Sequence, residues 1–278
     1  MEEKKERQES INFRVAAIYS TKGGVGKSSA TISLARYLAA TGRRVAILDM
    51  DGNNNSTSFW FLQEALFDKA RQKHIAIALN DEKNDLKKYT LPSVVKNVDV
   101  IASSEYLSDL RSINERRLSR MIKTLEGKYD VVIIDCPPTY DNLTLNAVNA
   151  SDYIITPAFK DMFSYNACRY LKAKLESETN RINNWHVMIN GYNRQYEQAQ
   201  GGKQKEFIEL YKNEFKTTEK ETWFPWTNDI KEIIDRRAYL SGSPTHKAVC
   251  NEALYSAVRN LSLSILPEGQ EIKEPEVF

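Results

Sequence analysis

Six short runs of consecutive apolar residues, FRVAAIYS, RVAILD, VDVIAS, YDVVIID, DYIITP and WHVMIN, recur along the chain between longer segments with helical spacing. A strand that is apolar on successive positions, rather than on alternate ones, has to be buried on both faces. The alternation therefore predicts an α/β fold, a mostly parallel twisted sheet with helices on both faces. The predicted helices are Lys27 to Ala40, Glu105 to Leu125, Phe163 to Glu178, Lys203 to Phe215, Asp229 to Tyr239 and Lys247 to Leu266. One domain over residues 12–266 suffices for a chain of 278 residues. Residues 1–11 are charged and are expected to be a disordered tail, and 267–278, with Pro and acidic residues, a flexible one. The polar loop 191–202 is expected to be mobile, and the polar stretch 80–97 shows no readable period.

Between the first strand and the first helix stands TKGGVGKS, Thr21 to Ser28, which fits the phosphate-loop pattern except that threonine occupies the first glycine position. Gly23, Gly24 and Gly26 allow the turn, and the backbone N–H groups of Gly24, Val25, Gly26, Lys27 and Ser28 are expected to face a polyphosphate, with Ser29 beside them. Lys27 is expected to reach the terminal phosphates and the Ser28 hydroxyl a Mg²⁺ ion. The bland alternative, a glycine turn with no ligand, leaves the two acidic motifs that follow without a purpose.

The first of these, VAILDMD, brings Asp49 and Asp51 to the C-terminal edge of the sheet, where ligands of open α/β folds bind. Alternation puts both on one side, so that one can face Ser28 and the metal while the other faces the attacking water. Capping of the following helix is the competing role, more so for Asp49 than for Asp51. The second, VVIIDCPP, ends in Asp135, whose carboxylate is expected to hold a metal-bound water. Cys136 beside it reads as a small buried residue, and Cys136, Cys168 and Cys250 lie too far apart in sequence for a disulfide or zinc framework.

With KGGVGKS, LDMDGNNNST, YDVVIIDCPP and the late segment FPWTNDIKEIIDRRAYLSGSP in this order, the sequence resembles the ParA/MinD family of deviant-Walker-A P-loop ATPases, most closely its short Soj-like partition proteins. The resemblance runs from about Phe13 to Ile265 and implies a single-domain P-loop NTPase fold with ATP and Mg²⁺ as cofactors. It makes Lys22 the signature lysine that crosses an ATP-sandwiched homodimer to the partner's phosphates. It implies Asp51 as the residue that positions the hydrolytic water, Asp135 as part of the metal shell, and Asn190 as an adenine contact. Gly52-Asn53-Asn54-Asn55 stands where the family often has Pro-Gln-Gly-Asn.

The formal charge of +2 makes no global case for nucleic acid, so any DNA contact needs a local basic patch. The resemblance implies nonspecific double-stranded DNA, with Lys231, Arg236, Arg237, Lys247 and Arg259 as candidate contacts and Lys203 and Lys205 behind them, and a ParB-type centromere-binding partner. Ordinary solvated charge is the alternative for each, since Glu232 and Asp235 share their helix. No apolar run approaches the roughly 20 residues of a membrane span, and the acidic, proline-containing end EGQEIKEPEVF differs from the basic amphipathic membrane helix of MinD. The expectation is a cytoplasmic, nucleoid-associated partition ATPase. A ParA-like ATPase that positions a protein cargo, or a MinD-like regulator without the membrane helix, stands as the alternative.

Overall fold

A computed structural model describes residues 13–52, 56–81, 85–110, 112–193, 203–228 and 252–267. Among them eight strands form one sheet: β1 (Arg14–Ile18), β2 (Val45–Asp49), β3 (Leu91–Pro92), β4 (Val98–Ile101), β5 (Val131–Asp135), β6 (Tyr153–Ala158), β7 (Trp185–Tyr192) and β8 (Phe224–Pro225). Their order is β3-β4-β2-β5-β1-β6-β7-β8. Every neighbouring pair is parallel except β3 with β4. All residues of β2, β5 and β7 are buried, which is the double-sided burial that the continuous apolar runs predict. The six runs became the six central strands. β3 and β8, each two residues long, are too short to show a period.

The helices are α1 (Lys27–Ala40), α2 (Ser56–Phe61), α3 (Phe67–Ala70), α4 (Ile75–Asn80), α5 (Arg117–Met121), α6 (Asn142–Ala150), α7 (Met162–Glu178), α8 (Lys203–Glu214) and α9 (Glu252–Ile265). α6 starts on a capping box, in which Asp141 accepts from the Thr144 N–H and Thr144 answers the Asp141 N–H. α9 packs against α1, with Tyr255 edge-on to Tyr37 at a centroid distance of 5.7 Å.

The single helix expected over Glu105 to Leu125 is a correction. The described chain there forms a 3₁₀ turn at Glu105–Leu110, then α5, then a second 3₁₀ turn at Ile122–Leu125. Asn114 explains the break: its side chain takes the Arg116 N–H at 3.0 Å, and its carbonyl accepts from Asn146 Nδ2 of α6 at 2.9 Å. A side chain that bonds nearby backbone competes with helix. The helix expected over Asp229 to Tyr239, most of the loop 191–202, and both tails lie outside the described residues.

Leu261 is fully buried on the core face of α9. Leu261→Ala is expected to cost about 2–5 kcal/mol, read as a lower urea midpoint with an unchanged slope. A loss below about 0.5 kcal/mol would show that α9 is not part of the cooperative core.

Candidate functional site

The sheet register sets the site. Asp49 of β2 and Ile18 of β1 both pair with Asp135 of β5, so three strands end level with one another. β1 runs straight into the phosphate loop, which turns on two glycines with backbone that L side chains avoid, Gly24 at φ 72° and Gly26 at φ 96°. Gly26 caps α1 without a side chain, and the first turn of α1 carries no acidic residue, so the positive end of a 14-residue helix is kept for an external anion. Gly23 and Gly24 are exposed, Ser28 and Ser29 half-buried, and Val25 and Lys27 buried.

Asn190, at the end of β7, reaches this loop. Its Nδ2 donates to the Val25 carbonyl at 2.8 Å, and its Oδ1 accepts the Gly191 N–H at 2.8 Å. The residue expected at the adenine is thus a brace between sheet and phosphate loop. A Cβ placed on Gly26 would stand 2.4 Å from that Nδ2.

Lys27 is 7% exposed, and burial pulls its ammonium below the ordinary lysine range against the opposing charges of Asp135 and Asp51. Asp135 is fully buried. Thr57 Oγ1 donates to its Oδ2, the Ser28 hydroxyl also bonds this carboxylate, and Oδ1 has no hydrogen-bond partner. Burial pushes Asp135 above the usual carboxylate range, while Thr57, Ser28 and Lys27 oppose the shift. A buried carboxylate oxygen without a donor, beside a serine hydroxyl and a phosphate loop, fits a hard cation such as Mg²⁺.

Both oxygens of Asp49, the other residue expected at the metal, accept hydrogen bonds. Its Oδ2 accepts the Ser58 N–H and Oγ, both at 2.7 Å, and its Oδ1 accepts the Asp51 N–H at 3.1 Å. It therefore pins the start of α2, which is the capping alternative, and it is Asp135 that meets Ser28. Burial, then the charge of Asp135, pushes Asp49 upward in pKa. Asp51 is buried and close enough to Lys27 and Asp135 to act on both electrostatically.

Lys22 docks on the start of α7. Its Nζ lies 3.1 Å from both Asp161 oxygens and 2.9 Å from Ser164 Oγ. It also stands 5.8 Å from the Phe159 ring centre and 5.9 Å from that of Phe163. Asp161 is the N-cap of α7, and although burial raises its pKa, the Ser164 N–H and Lys22 hold it below the ordinary value. Phe163 beside this ammonium is 79% exposed, next to it in sequence Met162 is 49% exposed, and Trp226, which packs on Phe159, is 72% exposed.

Sequence reasoning missed Asp161, Ser164, Thr57 and Ser58. The spacing Asp161-x-x-Ser164 signals a helix cap, but nothing local reveals that Lys22, 139 residues away, docks on it. Of the candidate DNA contacts, Arg259 lies half-buried on α9, its Nη1 3.4 Å from Asn260 Oδ1. Lys205 is exposed on α8, which begins at Lys203, and Lys231, Arg236, Arg237 and Lys247 lie outside the described residues.

A family model described as an AAA domain matches residues 13–187, from β1 into β7, and includes the phosphate loop, Asp49, Asp51, Asp135 and Asp161. The chain belongs to the ParA/MinD family of P-loop ATPases. Within that ParA/MinD family it is 28% identical over 239 residues to the sporulation initiation inhibitor protein Soj of Bacillus subtilis, covering 84% of this chain and 88% of Soj. It is 32% identical over 150 residues to the chromosome partitioning protein ParA of Myxococcus xanthus, covering 52% of this chain and 51% of that one. Among solved structures, a putative plasmid partition protein from Borrelia burgdorferi bound to AMPPNP shares the fold, with TM-score 0.69 and 23% identity, covering 91% of this chain and 97% of the other.

Gly26→Ala must adopt positive φ and displace Asn190, so a loss of about 1–3 kcal/mol is expected in chemical denaturation. Gly23→Ala, with nothing within 4 Å of its added Cβ, should stay within about 0.5 kcal/mol of the parent. Equal effects would contradict the brace.

Proposed function

We propose that this chain is a ParA-type partition ATPase: ATP closes a sandwich homodimer, the dimer holds nonspecific double-stranded DNA at the nucleoid, and a ParB-type centromere-binding partner stimulates slow hydrolysis and release. The observation that carries the reading is the position of Lys22. It stands at the rim of the phosphate loop beside exposed Phe163, on a face suited to a second copy of the chain. Its charge is matched by Asp161 within the monomer. Only another dense anion, such as a triphosphate presented by a partner, compensates its removal from that carboxylate.

Ser28 and Asp135 would hold Mg²⁺, and the bound ion supplies charge neutralisation at the phosphates. Gly24 to Ser28 bind the phosphates through backbone N–H groups, and Lys27 supplies a buried ammonium to the terminal phosphate. Asp51 orients a water through its carboxylate oxygens for attack on the γ-phosphorus. Asn190 joins the adenine side of the site to the loop it braces. The DNA contacts are assigned to Lys231, Arg236, Arg237, Lys247 and Arg259.

Dimerisation and DNA retention measured by light scattering and filter binding with ATP and with ADP test this cycle. Lys22→Ala should weaken the ATP dimer at least about tenfold, or about 1.4 kcal/mol. Asp51→Ala should keep ATP binding and the dimer while kcat falls about 100-fold. The opposite pattern, or indifference to ATP, overturns the role assignments. A dimer making about 4 to 6 phosphate contacts should show a log–log salt slope near −4 to −5 on duplex DNA.

A further inference from the structure

A concave surface lies at the opposite edge of the sheet from the phosphate loop. It is a cleft of about 830 Å³ lined by Arg116, Arg120, Lys123 and Arg181 as cations and by Glu126 and Asp152 as acids. Four cations against two acids leave the cleft net positive. Asp152 Oδ2 accepts the Val15 N–H at 2.9 Å, and Glu126 forms no ion pair among the described residues. Arg116, Arg120 and Lys123 likewise have no ion-pair partner among the described residues. All three are exposed and follow one another along the cleft, Arg116 just before α5, Arg120 within it and Lys123 in the following 3₁₀ turn.

Two further features point to a ligand. Ser119 Oγ and Arg181 Nε, both on residues that line the cleft, are buried without hydrogen-bond partners, while Arg181 Nη2 is fixed on the Asn149 carbonyl at 2.7 Å. The floor is apolar, formed by Phe13, Val15 and Ile122. A rim of cations over an apolar floor, in a volume typical of small-ligand sites, suits a group that is flat and apolar at one end and polyanionic at the other.

We propose that this cleft is a second anion site that takes a nucleoside phosphate, with the base on the Phe13 and Ile122 floor and the phosphate on Arg116, Arg120 and Lys123. A free nucleotide and an unpaired nucleotide of a strand share this chemistry. The cleft lies at the start of β1, and the phosphate loop at its end, so five residues of strand, about 16 Å, separate the two sites. They are distinct sites on one chain, too far apart for one nucleoside phosphate to fill both.

Equilibrium binding of labelled ADP and of a labelled ten-nucleotide single strand to the full chain tests this, with Lys27→Ala removing the phosphate-loop contribution. Lys27→Ala is expected to retain one of the two probes, and Arg116→Glu/Arg120→Glu in that background to weaken the retained binding at least about tenfold. Retention of ADP identifies a free nucleotide as the ligand, and retention of the oligonucleotide alone identifies a strand. Because Arg116 and Arg120 are exposed, the double variant should fold, and Lys123→Ala gives a milder second reading with a threefold or greater loss. If Lys27→Ala binds neither probe, or if the cleft variants leave its binding unchanged, the site does not exist.

Discussion

The site depends on a balance of buried charge. Lys27 at the start of α1, Asp49 and Asp135 at the ends of adjoining strands, and Asp51 just past β2 are each less than a tenth exposed. One ammonium cannot neutralise three carboxylates, and burial raises the cost of each unmatched charge. The protein meets part of that cost with hydrogen bonds: Ser58 twice and the Asp51 N–H on Asp49, and Thr57 on Asp135. What stays unmet is Asp135 Oδ1, and it stays unmet beside Ser28, where a cation completes the balance. The glycine turn, the uncapped start of α1 and the level strand ends all serve to bring that incomplete cluster to one phosphate.

The sheet was legible because its strands are buried on both sides, so burial alone writes a continuous apolar run into the sequence. The boundaries of Lys27–Ala40 and the strand ends at Asp49 and Asp135 follow from the same pattern. The hydrogen bonds that hold Asp49 were legible only as the capping alternative. Alternation assumes an extended chain, but β2 stops at Asp49, and beyond it the chain folds back so that the Asp51 N–H donates to Asp49. Asn114 hid its helix break for a related reason, since the partner that stabilises the non-helical backbone, Asn146, lies on another helix. The Lys22–Asp161 pair and the Asn190 brace span 139 and 165 positions, and no local pattern carries such distances.

The family match and the geometry bear on different parts of this site. The matched segment, residues 13–187, includes the phosphate loop, Asp51 and Asp135, but stops before Asn190, β8 and α9. The later elements are tied in physically. Asn190 holds Val25, Trp226 lies 6.5 Å from Phe159 between ring centres, and α9 covers α1. The end of the described chain therefore supports the rear and rim of the nucleotide loop rather than forming a separate unit.

The loops at this edge continue the sheet's own ladder. The Cys136 N–H donates to the Ile18 carbonyl at 3.2 Å, the Met50 N–H to Asp135 at 2.9 Å and the Tyr19 N–H to Ile155 at 2.9 Å. Buried Tyr19 then spans from the root of the phosphate loop to the segment after Asp135, its hydroxyl donating to the Thr139 carbonyl at 2.6 Å. Backbone tied in this way has little freedom to answer the loss of one phosphate by large movement. The group with an alternative place to go is Lys22, whose side chain is 28% exposed and already rests on a carboxylate of its own chain. Lys22 is therefore a side chain at this edge that can change partner while the sheet and its first loops stay as they are.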